Sequence, residues 1–174
     1  MSLSLLQTAG GGPQDSPAIA QFQAEIAKYM AIRRGLLNEL SGPKGDSSAT
    51  ELNNASDALA AAIQRRRPNK EPGALFPPAV AEALKRRVSD AVRSANLVPV
   101  LAGIDDESGG VGQPTVYLRY PAAEQMATMP PSILAVLPAL PKELEYRIVG
   151  TYLVIRDTDA ALVLDFIPAA VPRK

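Results

Sequence analysis

The chain has 174 residues and contains no Cys, His or Trp, which excludes disulfide frameworks, thiolate chemistry, the usual zinc sites and every nucleophile–base pair that depends on His. Its 18 basic and 18 acidic residues cancel, so net charge gives no indication of nucleic-acid or membrane binding. Leu, Ile, Val and Phe number 44, which is enough for the buried core of one domain.

The first sixteen residues are expected to form a flexible tail or to be a remnant of cloning, because Gly10-Gly11-Gly12-Pro13 interrupts regular structure. No positively charged start precedes an apolar stretch, so no intact signal peptide is recognised. No apolar run approaches the length of a membrane span. We therefore expect a single domain over 17–174, with a helical part (17–104) and a strand-rich part (115–168).

Two amphipathic helices are predicted first. In the first helix, Ser16 is the expected N-cap, apolar residues recur every three or four positions, and Gly42-Pro43 ends the helix. The second helix opens with the capping-box pattern from Ser48 to Glu51 and ends before Pro68. The short loop between them predicts an antiparallel helical hairpin.

A third helix is predicted to start near Pro77-Pro78, since Pro is favoured at the first helical position. Asn96 is a candidate cap for a short fourth helix that reaches about Ile104. A flexible acidic loop is expected over 105–112.

Beyond this loop the apolar period changes from 3.6 to 2 residues. The segment 115–120 is predicted to be a strand that ends at Pro121. The Pro-rich segment 121–143 is expected to be a connector of fixed shape, with one or two helical turns within 132–137.

Three C-terminal segments predict an antiparallel β-meander: 144–149, 152–156 and 161–167. Gly150-Thr151 fits a two-residue hairpin loop, and 157–160 fits a four-residue turn. If Val149 faces Tyr152 and Arg156 faces Ala161, one sheet face is wholly apolar. That face comprises Tyr146, Ile148, Leu153, Ile155, Leu162, Leu164 and Phe166. The sequence thus predicts an α+β fold, with about three N-terminal helices packed on one face of a small C-terminal antiparallel meander.

The opposite sheet face is the first candidate site for a ligand or partner. Arg147, Arg156, Tyr152 and Asp165 are expected on it, with Arg119 from the preceding predicted strand. Arginines beside tyrosines can bind a carboxylate, a phosphate or a peptide terminus. The alternative is an ordinary solvated face, with cross-strand charge pairs such as Glu145 with Arg156.

Other chemistries have weaker support. Carboxylates alone could catalyse hydrolysis, with Asp165 as acid or base beside Arg147 and Tyr152. No metal site is predicted, because neither 105–107 nor 157–159 matches a calcium loop. No nucleic-acid partner is predicted, because the basic runs on the helices lack interleaved aromatic residues. No cofactor motif is present, and the glycines at 109–112 do not fit a phosphate-binding loop.

Five segments in the C-terminal third carry a resemblance: 127–131, 137–141, 144–150, 153–157 and 161–168. Over roughly 120–170 the chain resembles a group of uncharacterised bacterial proteins that often carry an export signal. It implies a bacterial origin and a periplasmic or exported location, with a cytoplasmic location as the alternative. It implies no activity, ligand or catalytic residue.

Together these observations favour a non-enzymatic, exported accessory or binding protein whose partner is a protein or peptide. Its working surface would be the polar sheet face, or an edge strand that accepts a partner strand. A hydrolase that uses carboxylates and a helical dimerisation module are the alternatives.

Overall fold

A computed structural model of the chain describes residues 16–40, 48–107, 112–119 and 129–172. In these ranges helices come first and strands last, so the predicted α+β fold is confirmed. The elements, in chain order, are α1 (Ser16–Glu39), α2 (Ala49–Arg66), α3 (Pro78–Ser94), α4 (Val98–Glu107), α5 (Pro131–Leu134), β1 (Leu144–Val149), β2 (Tyr152–Asp157) and β3 (Leu162–Ile167). Within the described part of the chain, no helix combines the length and apolarity that a membrane span needs.

The helix starts follow the local sequence signals. Ser48 caps α2 by accepting from the Glu51 N–H, and the Glu51 carboxylate accepts from the Ser48 N–H, so the predicted capping box is confirmed. Pro77 is the N-cap of α3 and Pro78 lies at its first position, as expected. Helix α1 begins at Ser16 as predicted, whereas its expected stop at 42–43 and the tail 1–15 lie outside the described residues.

Two local predictions are wrong. Helix α4 extends to Glu107, so 105–107 are helical and do not belong to a loop; residues 108–111 lie outside the described ranges. The segment 115–119 is not a strand: it turns at Val116 and Tyr117, and Arg119 makes an isolated bridge with Leu162. Tyr117 has a φ of +67°, which is incompatible with an extended strand.

Helix α1 connects the helices to the sheet. It contacts α2 and α3, and its Phe22 ring stacks on Phe76 with centroids 5.6 Å apart and on Tyr146 of β1 at 6.4 Å. All three rings are at most 5% exposed. The side chains of Tyr146 and its same-face neighbours in the sheet therefore form the inner face, which α1 covers.

The sheet has the order β1-β2-β3 and is antiparallel throughout. In the first hairpin Val149 pairs with Tyr152 and Glu145 pairs with Arg156, so the predicted register is confirmed. Gly150 has a φ of +57° in the two-residue loop, a conformation that glycine adopts without steric cost.

The predicted register of the second hairpin is wrong. Arg156 pairs with Val163 rather than Ala161, and Leu153 pairs with Ile167 rather than Leu164. The register shifts between Ile155 and Arg156 of β2, where β3 forms a β-bulge. A bulge adds a residue to one strand, and beyond it the inward and outward positions exchange. Regular alternation cannot reveal this feature.

The bulge redistributes the side chains of β3. Asp165 pairs with Ile155, and Ile167 with Leu153, so both join the inner face; Phe166 pairs with Val154 on the outer face. The outer face also differs from the half-solvated surface expected, since Val154 and Val163 on it are fully buried. The charged residues of this face, Glu145, Arg147 and Arg156, belong to β1 and β2.

Candidate functional site

Three of the five predicted site residues share the outer sheet face. Arg147 Nη2 donates to Glu145 Oε2 at 2.6 Å, and Arg156 Nε lies 2.7 Å from Glu145 Oε1. Both oxygens of one carboxylate are thus engaged by two guanidinium groups. The cluster formed by Glu145, Arg147 and Arg156, here called the arginine cluster, carries a formal charge of +1.

Burial disfavours the charged form of Arg156, the more buried arginine of this cluster. The Arg156 side chain is 8% exposed, and burial lowers its pKa, with a further lowering from Arg147 that Glu145 and Asp157 oppose. Arg147 Nε and Arg156 Nε are both buried and make no well-aligned hydrogen bond within the described residues. The 2.7 Å contact of Arg156 with Glu145 is therefore a charge contact with poor hydrogen-bond geometry.

Tyr152, the third residue on this face, packs edge-to-face on Phe166, with ring centroids 5.7 Å apart. This geometry is a favourable aromatic contact. Phe166 reaches Tyr152 because the bulge turns it to the outer face. Tyr152 therefore extends the apolar part of this face.

Arg119 does not join Arg147, Arg156 and Tyr152 on the outer face. Its guanidinium contacts Asp57 and donates to the Ser56 hydroxyl at 3.2 Å, and both partners belong to α2. The Arg119 side chain is 39% exposed. It links the segment 112–119 to α2 at the surface.

Asp165 lies on the inner face, so its predicted position on the outer face is wrong. It is fully buried, and its carboxylate accepts from the backbone N–H groups of Gly73, Leu75 and Phe76 at 2.7–2.9 Å, as well as from that of Phe166. These donors belong to the connector between α2 and α3. Asp165 therefore fixes that connector against the sheet.

A largely apolar groove of about 520 Å³ lies beside the arginine cluster. One wall is the connector before β1 and the other is β1 itself. The lining residues are Met129, Leu134, Leu137, Pro138, Ala139, Leu140, Leu144, Glu145, Tyr146 and Arg147. Here it is called the β1 groove.

The β1 groove follows the outer edge of β1. Four consecutive residues, 144–147, line it, although their side chains point alternately to the two sheet faces. A groove that touches all four must therefore run along the edge of the strand. The two walls are joined where the Tyr146 hydroxyl donates to the Pro138 carbonyl at 3.0 Å.

A second polar cluster is present that was not predicted from the sequence. Asp157, at the end of β2, is fully buried and accepts at 2.7 Å from both the Tyr29 hydroxyl and Arg33 Nε of α1. Its other oxygen accepts from the Ala160 N–H at 2.9 Å. Arg33 is only 3% exposed and also contacts Asp159. This α1–β2 cluster fastens the longest helix to the sheet.

The sequence contained only an indirect signal for this cluster. Arg33 follows Tyr29 by four residues, which places both on one helix face, the face that also holds Phe22 and Ile26 in the core. An arginine within an apolar stripe is an indication of a buried partner. Nothing local identifies Asp157, 124 residues later, as that partner.

In the α1–β2 cluster, the charge of Arg33 is paired with Asp157 and Asp159. Burial acts to lower the pKa of Arg33, but the hydrogen bonds and charges of Asp157 and Asp159 raise it above its usual value. The Arg67 guanidinium lies 5.3 Å from the centre of the Tyr29 ring, as in a cation–π contact. Arg33 lies between the two aspartates of the 157–159 turn.

Among the described residues, no group of three or more carboxylates has metal-binding geometry.

Among the tyrosines that the structure describes, out of five in the chain, Tyr29 and Tyr146 have the largest rises in pKa, so we expect these two to couple stability to alkaline pH. Burial raises the pKa of Tyr29, with a further contribution from Asp157, and burial raises that of Tyr146. A group with a raised folded-state pKa stabilises fully below its unfolded value, about 10 for Tyr, and that stabilisation is lost as pH rises above it.

Absorbance at 295 nm should therefore show that these two phenols ionise only when the protein unfolds. Urea denaturation should show a lower free energy of unfolding at pH 10.5 than at pH 8, with a smaller decrease for Tyr146→Phe. Ionisation of all five tyrosines near pH 10 with the fold retained would contradict this prediction.

Comparison with known proteins identifies no relative. No protein-family model, no curated protein and no solved structure matches the chain. The resemblance of 120–170 to exported bacterial proteins therefore stays a prediction, and the site is interpreted from its geometry.

Proposed function

We propose that the protein is a non-catalytic binding module whose ligand, a protein segment or peptide, occupies the β1 groove. The observation that carries this proposal is the position of the groove: an apolar cleft along an edge strand, with charged side chains at its rim. Exposed strand edges pair with extended peptides, and apolar pockets beside them select side chains. The Leu134 side chain is 51% exposed at this groove, which an apolar ligand would cover.

Export to the periplasm or cell surface is the location that we propose with this function, and the resemblance of 120–170 is its support.

No observation favours the alternative of a hydrolase that uses carboxylates. Such chemistry needs two carboxyl groups at one cleft, whereas Glu145 is the single carboxylate among the described residues that line the β1 groove, and both its oxygens contact arginines. A second cavity, between α1 and α2, contains a single carboxylate, Glu39. Asp157 and Asp165 are buried and saturated with donors.

The groove can be tested by filling it. Ala139 lines the groove and is exposed, so Ala139→Trp should obstruct it without removing a core contact. Ala135 is also exposed and lies outside the groove lining, which makes Ala135→Trp the matched control. Peptides selected from a random display library on the purified full-length protein serve as ligands.

We expect selected peptides to bind the Ala135→Trp variant as they bind the wild type, and to bind Ala139→Trp at least about tenfold more weakly, since an occupied pocket cannot accept a side chain. Isothermal titration calorimetry measures both affinities. Equal binding to both variants, or no selected peptide at all, would refute the proposal.

A further inference from the structure

Among the residues that the structure describes, the β1 edge of the sheet has no strand partner. The outer edge of β3 is already occupied: the Tyr117 N–H donates to the Val163 carbonyl at 2.8 Å, and the Val163 N–H donates to the Leu118 carbonyl at 3.0 Å. Within the described residues, no strand lies beside the outer edge of β1. A strand added to this sheet would therefore pair with β1.

The hairpin register shows which backbone groups of β1 point into the groove. Val149 and Tyr152 close a two-residue loop, and such closing pairs exchange both hydrogen bonds, as does every second pair beyond them. The N–H and C=O groups of Leu144, Tyr146 and Ile148 therefore point away from β2. The Leu144 N–H donates to the Pro141 carbonyl. For Tyr146 and Ile148, no outward backbone hydrogen bond is present in the described part of the chain.

Arg147 is placed to receive an acidic side chain from an added strand. Its own backbone groups bind β2, so opposite an antiparallel added strand it would form a non-hydrogen-bonded pair, in which side chains are closest. Its side chain is 27% exposed and shares the single Glu145 carboxylate with Arg156. Its Nε is buried without a hydrogen-bond acceptor. A second carboxylate against the exposed part of this side chain would balance the +1 charge of the arginine cluster.

We infer that the β1 groove takes an extended peptide that adds as a fourth strand along β1 and places a Glu or Asp side chain against Arg147. This inference rests on the proposed function and specifies its ligand. The peptide backbone would bind Tyr146 and Ile148. Apolar side chains on either side of the acidic residue would fill the cleft beneath Leu137 and Leu140.

Two capped, fluorescein-labelled peptides test the inference on the unmodified protein. One has the sequence Ser-Thr-Val-Glu-Val-Thr-Ser, and the other replaces Glu with the isosteric Gln. Fluorescence polarisation should give at least about tenfold tighter binding of the Glu peptide, the difference expected for a charge-assisted hydrogen bond. N-methylation of a valine amide in the Glu peptide should abolish binding, whereas N-methylation of the Glu amide should not, because only alternate amides face β1.

Protein variants then assign the preference to a residue. Arg147→Gln should lower the affinity for the Glu peptide to that for the Gln peptide. Arg119→Gln, which removes the same charge beside α2, should leave both affinities unchanged; Ala139→Trp should weaken both peptides. Circular dichroism verifies that each variant folds.

The failures are distinguishable. If both peptides bind equally and Ala139→Trp still weakens them, the acidic ligand is refuted while the groove remains the binding surface. If the Arg147→Gln variant prefers the Glu peptide over the Gln peptide as strongly as the wild type does, Arg147 is not the residue that binds the acidic side chain. If neither peptide binds although library peptides do, strand addition with this pattern is refuted. Binding that Ala139→Trp leaves unchanged refutes both the inference and the proposed function.

Discussion

Replacing Arg33 with Met is expected to destabilise the protein by about 3–5 kcal/mol, the usual effect of removing one partner from a buried ion pair. Arg33 is 3% exposed and its Nε donates to the fully buried Asp157 at 2.7 Å. Met fills much of the same volume, but it leaves a carboxylate in the interior without its cation. Such a loss is a large fraction of the roughly 5–15 kcal/mol that stabilises a typical domain.

The measurement is urea denaturation of the wild type and Arg33→Met, followed by circular dichroism. Arg34→Met is the matched control: it removes the same charge from the next position of α1, where the side chain is exposed, and its effect should stay within about 0.5 kcal/mol. If the two variants are equally stable, Arg33 does not stabilise the junction of α1 with β2.

A double substitution separates the charge from the packing. Asp157→Asn in the Arg33→Met background removes the buried charge that lacks a partner, so the double variant should be more stable than Arg33→Met alone. Additive destabilisation would instead assign the loss to packing around Arg33. The Tyr29 hydroxyl remains a donor to either side chain at this position.

Replacing Asp165 with Asn is expected to cost about 3 kcal/mol, because an amide nitrogen cannot accept from the backbone donors that the carboxylate binds. Oδ2 accepts from Leu75 and Phe76, and Oδ1 accepts from Gly73 and Phe166. Whichever oxygen is replaced, two backbone N–H groups lose their acceptor, and at least one of them is buried. Thermal unfolding should show a midpoint lower by roughly 2–4 °C per kcal/mol for a chain of this size.

Asp90→Asn is the control for this substitution. The Asp90 side chain is 68% exposed and pairs with Arg93 within α3, a surface interaction that contributes about 0.3–0.5 kcal/mol. Hydrogen exchange at 73–76 adds a local measurement, since these amides should lose protection in Asp165→Asn. Unchanged protection at 73–76 would show that Asp165 does not hold the connector.

The candidate site could be predicted only in part. Some of its residues are placed by one hairpin, whereas others are placed by contacts between distant elements. Arg147, Arg156 and Tyr152 belong to one hairpin, and its alternation and turn place them on one face without any other element. Arg119 was expected beside them through a strand that does not form; its contact with Asp57 in α2 depends on how the helices pack. The β1 groove likewise needs both β1 and the connector before it.

Three features follow from local sequence signals: the capping box at Ser48, the start of α3 at Pro78 and the register of the first hairpin around Gly150. Capping, proline geometry and two-residue turns act within a few residues, so they can be read directly from the chain.

The positions of Asp165 and Asp157, in contrast, depend on contacts between elements that are far apart in the chain. An aspartate in a strand is expected to face water, since burying a carboxylate is costly. Most of the donors that offset this cost come from residues 89–92 positions earlier for Asp165 and 124–128 positions earlier for Asp157. The β-bulge turns Asp165 inward, where the N–H groups of the connector bind its carboxylate. Strand periodicity carries no information about donors that are distant in the chain, so the sequence pattern alone could not place this residue.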